Sequence, residues 1–201
     1  MVNETSDRRR LTPKGERVRA RIVEAAADLI HERGVAGTTL EDVKMAAEVS
    51  GSQLYHYFPD KNDLVQAVID YQANAIVSRQ RRVLGSVKGL EAWRKMVITS
   101  ARRTQARGGC QLGSLGGQLA ESDPEARALI AAGFERWSTA IGEELKLLNA
   151  EGKLAPGIDP DDLATTLLAT LEGGLLLAQV QRSTQPFEAA INTLLALAVP
   201  T

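Results

Sequence analysis

Residues 35–61 read VAGTTLEDVKMAAEVSGSQLYHYFPDK, and this stretch decides the fold. It parses as two short helices joined by a tight turn. Thr39 stands where an N-cap side chain accepts an orphan amide, with Asp42 three residues on as an imperfect capping-box partner. Leu40, Val43 and Ala47 fall at i, i+3 and i+7, so the first helix has one apolar face. Val49 enters the angle between the helices. Ser50 is the N-cap of a second helix running to about Phe58, where Pro59 cannot continue it. On that helix Leu54 and Phe58 face inward, while Ser50, Gly51, Ser52, Gln53 and His56 face outward. Short hydrogen-bonding side chains near a helix N-terminus suit the major groove, where they meet base edges. The pattern is a helix-turn-helix.

Upstream, Val18, Ile22, Ala26 and Leu29 keep a helical stripe over about residues 15–33, and Gly34 ends that helix. His31 near its end reads as a surface residue favoured by the helix dipole. Residues 1–14 read as a flexible basic arm. Over residues 1–21 there are seven Lys/Arg, among them Arg8, Arg9 and Arg10, against three acids, a net +4. Next to a helix-turn-helix such an arm suits phosphates or the minor groove.

Downstream, Asp60 caps a fourth helix with Leu64, Val68 and Tyr71 on its inner stripe, continuing to about Leu84. Gly85 and Gly89 bracket a loop, and a fifth helix over about 89–106 carries Trp93, Met96, Val97 and Ser100 on one side. Residues 107–117 hold five glycines and read as a flexible connection. They are not a phosphate loop, because neither a preceding strand nor a Gly-Lys-Ser/Thr ending is present. Asp123-Pro124 and Asp159-Pro160 are N-cap-then-proline start signals for two long helices. Pro186 opens a last one through Phe187, Ile191, Leu194 and Ala198. Nothing alternates with period two for long enough to argue for a sheet. The expectation is an all-α chain of about nine helices: a helix-turn-helix domain over 15–62, then a larger helical domain over 63–201.

Composition narrows the classes of function. Of 201 residues, 44% are hydrophobic and 24% charged, an ordinary globular balance, and the net charge is −1, so any affinity for nucleic acid must be local. One Cys and two His exclude a clustered metal site or disulfide and suit a reducing cytoplasm. No cofactor is expected. No apolar run is expected to span a membrane. A Ser-His-Asp mechanism would have to use His31 or His56, both in the helix-turn-helix segment without partners at suitable spacing, so no catalytic residue is assigned. A helical scaffold that no longer reads DNA stays open, since residues 1–62 hold ten Lys/Arg against ten Asp/Glu.

The run Gly51 to Lys61, preceded by Thr38-Thr39 and followed by Leu64, resembles the operator-binding signature of TetR-type bacterial repressors over about residues 17–70. Two positions depart from that pattern. Glu48 stands where the turn commonly has Gly, which implies modest strain at a positive φ, and Tyr57 replaces a frequent His. Gly109-Cys-Gln-Leu-Gly-Ser-Leu115, with Leu119 to Glu125, resembles the C-terminal domain of the lincomycin-repressor/YxaF-like subgroup.

The resemblance implies a dimer that binds a palindromic operator in double-stranded DNA and releases it when a small molecule enters the larger domain. Ser50, Gly51, Ser52, Gln53 and His56 are the candidates at or near base edges, with Gln53 able to pair bidentately with adenine. Thr39, Tyr55, Tyr57 and Lys61 are the candidates for phosphate contact. Trp93, Met96, Val97, Cys110, Leu112, Phe134 and Trp137 are the bulky or soft residues where a pocket for an apolar or aromatic effector is expected. The last two helices are expected to pair with their symmetry mates through Leu167, Leu171, Gly174, Leu175, Ala178, Ile191 and Leu194. Gly173-Gly174 in mid-helix is expected where another backbone comes close.

Overall fold

The computed structural model describes residues 11–84 and 88–199. Arg8, Arg9, Arg10 and Gly85, named above, lie outside the described residues. Among the described residues there are nine helices and no strand: α1 (Pro13–Arg33), α2 (Leu40–Ala46), α3 (Gly51–Tyr57), α4 (Lys61–Leu84), α5 (Gly89–Arg103), α6 (Gln111–Leu119), α7 (Pro124–Ala150), α8 (Pro160–Gln181) and α9 (Gln185–Ala198). The chain divides into two compact units, one ending at Val68 and one beginning at Ile69, a division six residues beyond the expected boundary.

In the first unit α1 starts two residues inside the expected arm. Thr12 accepts the Gly15 amide at 3.2 Å and Pro13 supplies a preset φ at N1, so the helix begins there. Gly34 ends it with φ +76°, a conformation that costs glycine nothing. The core gathers Ile22, Ala26 and Ile30 from α1, Val43 from α2, Leu54 from α3 and Phe58 at its C-cap, and Leu64 and Val68 from α4, all buried. Apart from Ala26, each of these side chains contributes roughly 1.5–3 kcal/mol through apolar area removed from water. The Arg19 guanidinium lies 5.1 Å from the centroid of the Phe58 ring.

In the second unit Trp93, Trp137, Ile141, Leu145, Leu167, Leu171, Phe187 and Ile191 form one apolar cluster from α5, α7, α8 and α9. Both Asp-Pro pairs act as expected. Asp123 accepts the Ala126 amide at 2.9 Å, and Asp159 accepts those of Asp161 and Asp162 at 2.9 and 3.0 Å. The Arg102 guanidinium grips the Glu188 carboxylate through Nε and Nη2, and Arg94 donates to Asn192 at 2.7 Å, so two polar clamps join α5 to α9.

Several expectations are corrected. Tyr71 is 38% exposed, because the buried stripe of α4 runs through Leu64, Val68, Ile69, Gln72 and Ala73 instead. α5 stops at Arg103 rather than 106, since Gln105 and Ala106 adopt φ of +52° and +56°. The glycine-rich segment is not a loose connection throughout: Gln111–Leu119 is helical, with the Cys110 sulfur accepting the Gly113 amide at 3.4 Å as its cap. Leu112 and Leu115 are buried there and hold the helix that the glycines alone would not favour.

The expected dimer set is largely a core set. Leu167, Leu171, Gly174, Ala178 and Ile191 are buried within the chain's own second unit, and Leu175 and Leu194 pack partly against the same cluster. The close approach expected at the glycine pair is real but internal. A Cβ on Gly174 would stand 2.7 Å from Phe187 Cδ2 and 3.2 Å from Phe187 Cα on α9, whereas one on Gly173 would meet nothing within 4 Å. α8 carries a second apolar face: Leu176, Leu177 and Val180 are 60%, 49% and 73% exposed, beside Leu197 of α9 at 70%. With two apolar faces, α8 is also long and apolar enough to cross a membrane by length and composition, at a mean hydropathy of 1.5, contrary to the sequence expectation. One of those faces is taken up by α7 and α9.

Candidate functional site

The helix-turn-helix is held by two reciprocal capping boxes. At the start of α2, Thr39 accepts the Asp42 amide at 3.1 Å, and Asp42 Oδ2 accepts the Thr39 amide at 2.9 Å and its hydroxyl at 2.5 Å. Those hydrogen bonds, first the side-chain one and then the backbone one, lower the Asp42 pKa, and the charge of Arg33 adds to them. At the start of α3, Ser50 Oγ accepts the Gln53 amide at 3.2 Å while Gln53 Oε1 accepts the Ser50 amide at 3.0 Å. Ser50 Oγ is also 3.0 Å from Ser52 Oγ. The sequence reading missed this use of Gln53, although Ser50-x-x-Gln53 is the capping-box spacing itself.

The turn between the helices takes the strain expected of it: Glu48 has φ +50°. Its carbonyl accepts from Arg21 at 3.4 Å, and Val49 donates back to the Lys44 carbonyl at 3.2 Å. A left-handed residue with a side chain costs roughly 1–2 kcal/mol, which these contacts must offset.

With Leu54 and Phe58 each 1% exposed and anchoring α3 from below, its other side is open. Ser52, Gln53, Tyr55 and His56 are exposed, and a Cβ on Gly51 would meet nothing within 4 Å. Six of the nine residues picked for DNA contact (Ser50, Gly51, Ser52, Gln53, Tyr55 and His56) therefore share the surface of α3 and its cap. The other three differ. Thr39 sits at the N-terminus of α2 with its hydroxyl engaged by Asp42. Tyr57 is half-buried, its ring 4.9 Å from that of His56 and its hydroxyl 3.1 Å from where a Gly15 Cβ would stand, so it leans on the first turn of α1. Lys61 opens α4, just after Asp60, whose carboxylate accepts the Asp63 amide at 2.9 Å. Three helix N-termini, whose dipoles favour anions, thus carry residues of the predicted set.

In the second unit Trp93, Val97 and Trp137 belong to the apolar cluster, and Met96, Cys110 and Phe134 pack against it. Leu112 is buried beside α7, with Cδ2 3.1 Å from where a Gly133 Cβ would stand. Trp93 Nε1 donates to Gln80 Oε1, whereas Trp137 Nε1 is buried with no partner among the described residues. Cys110 is no thiolate nucleophile, since burial and then the charge of Glu172 push its thiol pKa far up. Glu172 was overlooked in the sequence; its signal was to be the one charged residue between Leu163 and Gln181. No cluster of three or more His, Cys, Asp or Glu side chains suited to a metal exists among the described residues.

Comparison with known proteins bears on both units. Residues 22–68 match the family described as bacterial regulatory proteins, tetR family, and residues 86–194 match the tetracyclin repressor-like C-terminal domain. An uncharacterized HTH-type transcriptional regulator of Mycobacterium tuberculosis is 31% identical over 85% of this chain and 88% of its own length. The crystal structure of a regulatory protein TetR from Rhodobacter sphaeroides has the same fold, with a TM-score of 0.81 at 22% identity, covering 90% of this chain and 99% of that one. A SmeT–triclosan complex superposes with a TM-score of 0.71 at 23% identity, covering 91% and 92% of the two chains. A helix-turn-helix with this signature, a matched C-terminal domain and a relative aligned over most of both chains lead to one conclusion: this chain belongs to the TetR family of helix-turn-helix transcriptional regulators.

Proposed function

We propose that the protein is a ligand-responsive repressor that binds a palindromic DNA operator as a homodimer and leaves it when a small apolar or aromatic molecule occupies the second unit. The observation that carries the reading is the open side of α3 with both helix-turn-helix caps closed internally. Such a helix is ordered before it meets DNA, so its outward groups need no rearrangement. Ser52, Gln53 and His56 face base edges, with Ser50 and Gly51 at the helix start, and Thr39, Tyr55, Tyr57 and Lys61 serve the phosphates. With Oε1 held by the Ser50 amide, Gln53 offers chiefly its NH2 group, which favours an acceptor such as guanine O6 or N7 over a bidentate pair with adenine.

The dimer surface is the outer face of α8 and α9: Leu176, Leu177, Val180 and Leu197, with Gly173 leaving room for a neighbouring helix. Two-fold pairing through that face sets two recognition helices against half-sites about 34–36 Å apart. The effector part of the reading draws on the apolar cluster and on a similarly folded protein solved with triclosan. An effector that prefers another spacing of the recognition helices weakens DNA binding by the same factor by which DNA weakens its own. The kinship with the lincomycin-repressor/YxaF-like subgroup rests on residues 109–115 and 119–125, and the cytoplasm is where such an operator is found.

The test is selection of bound sequences from a random duplex pool, followed by affinity measurements across salt concentrations. A palindrome with a steep salt slope supports the repressor. No enrichment and no slope would leave a helical scaffold, the reading that the balanced charge of residues 1–62 favours.

A further inference from the structure

Apart from Glu172, α8 is uncharged from Leu163 to Gln181. The Glu172 carboxyl lies against the first turn of α6, where a Cβ on Gly113 would stand 2.1 Å from Oε2, and it is hydrogen-bonded to the Cys110 thiol. Oε1 is buried with no partner. Trp137 Nε1 is in the same condition, on a side chain only 3% exposed. Among the described residues these two are the buried side-chain polar atoms left unsatisfied.

The first turn of α6 meets Glu172 directly and lies one turn of α7 away from Trp137. Leu112 reaches α7 at Gly133, and Trp137 follows one turn later on that helix. Cys110 and Gly113 meet α8 at Glu172, and Cys110 also packs on the apolar cluster that contains Trp137. A donor on α7 and an acceptor on α8 are thus left unpaired, with the first turn of α6 reaching both helices. Buried polar groups are almost always paired, so an unpaired donor and acceptor on neighbouring helices point to a partner from outside the chain. Burial raises the Glu172 pKa, and among the described residues only the Cys110 hydrogen bond opposes this.

We propose that Glu172 Oε1 and Trp137 Nε1 are the polar anchors of the effector site, and that the effector is an apolar amine. Its nitrogen donates to Glu172 and supplies a positive charge, and an oxygen acceptor on the same molecule receives the Trp137 N–H. The proposal rests on the reading that the second unit binds an effector.

The probes are 2-phenoxyethylamine, 2-phenoxyethanol and phenoxyacetate, which share a ring and an ether oxygen and differ at the terminal group. Each is titrated into the full-length protein by calorimetry, with and without bound DNA. The amine is expected to bind about tenfold or more tighter than the alcohol, because a charged hydrogen bond outweighs a neutral one. The acid is expected not to bind. Glu172→Gln should erase the advantage of the amine while leaving the alcohol unchanged, and Trp137→Phe should weaken amine and alcohol alike. The assignment is overturned if the amine does not bind, if it has no advantage over the alcohol, or if that advantage survives Glu172→Gln. Should that variant fail to fold, the amine-to-alcohol ratio of the parent and the Trp137→Phe result decide. DNA release by the alcohol or acid but not the amine would sink the ligand class and keep the effector reading. Amine binding without any change in DNA affinity would keep the site and sink the effector reading.

Discussion

Replacing Gln53 by Glu separates the two jobs assigned to this side chain. Glu keeps an oxygen where Gln53 Oε1 accepts the Ser50 amide at 3.0 Å, so the cap survives. A negative charge in the first turn of α3 is moreover favoured by the helix dipole, by about 0.3–1 kcal/mol. The DNA side suffers instead. The NH2 donor is lost, and a specific base contact is worth roughly 1–3 kcal/mol. A dimer loses it at both half-sites, so the expected loss is about 2–6 kcal/mol, or roughly 30-fold to 10⁴-fold in affinity, before repulsion from the phosphates is counted. Gln53→Ala, run beside it, loses the contact and its half of the capping box together. Thermal melting and fluorescence anisotropy with the selected operator report the two properties separately. The expected pattern is a Gln53→Glu protein that melts no lower than the parent and binds operator far more weakly, with Gln53→Ala low in both. If Gln53→Glu melts as low as Gln53→Ala, the capping argument is refuted. If it binds operator like the parent, Gln53 does not face the bases.

Further outcomes follow from other sites. Val180→Glu with Leu197→Glu should turn a dimer into a folded monomer in sedimentation, whereas Leu171→Ala should instead lower stability by about 2–5 kcal/mol, because Leu171 is 2% exposed in the core. Gly174→Ala should cost roughly 1–3 kcal/mol in urea unfolding by forcing α8 from Phe187, while Gly173→Ala should not destabilise the folded chain. At the turn, Glu48→Val should melt lower than Glu48→Gly by the equivalent of about 1–2 kcal/mol, since a β-branched residue suits φ +50° least. Asp42 has a folded pKa below its ordinary 3.8, so its contribution is complete above that value and lost as pH falls through the lower folded one. Melting curves taken from neutral pH down to about pH 3 should therefore show a steeper loss in the parent than in Asp42→Asn.

What could be read in the sequence was whatever depended on local chemistry. Thr39, Ser50, Asp123 and Asp159 cap helices from their own side chains, so their positions told where α2, α3, α7 and α8 begin. The strain at Glu48 follows from the family resemblance, whose turn commonly has Gly at that place. What could not be read depended on choices between equals. α8 has apolar residues on two sides, and periodicity does not say which side meets α9 and which stays open; Leu171 and Ala178, expected at a dimer face, are buried, and Leu176 and Val180 are exposed instead. The glycines of α6 argue for a loop, and the burial of Leu112 and Leu115 that overrides them is tertiary. Tyr71 and Gln72 exchanged places for the same reason: a one-residue drift of the buried stripe along α4 is invisible to a template of apolar residues.

The makeup of α6 bears on how the second unit fluctuates. Three of its nine residues are glycines (Gly113, Gly116 and Gly117), each roughly 0.8–1 kcal/mol less favourable than alanine in a helix, and nine residues are too few for a helix to persist alone in water. Its order is therefore borrowed from Leu112 at Gly133 and from the meeting of Gly113 with Glu172. Segments held in that way open through local unfolding well below the free energy of global denaturation. Backbone amides of residues 111–119 would exchange with solvent on their own schedule, reporting the integrity of those two contacts rather than the stability of the whole unit.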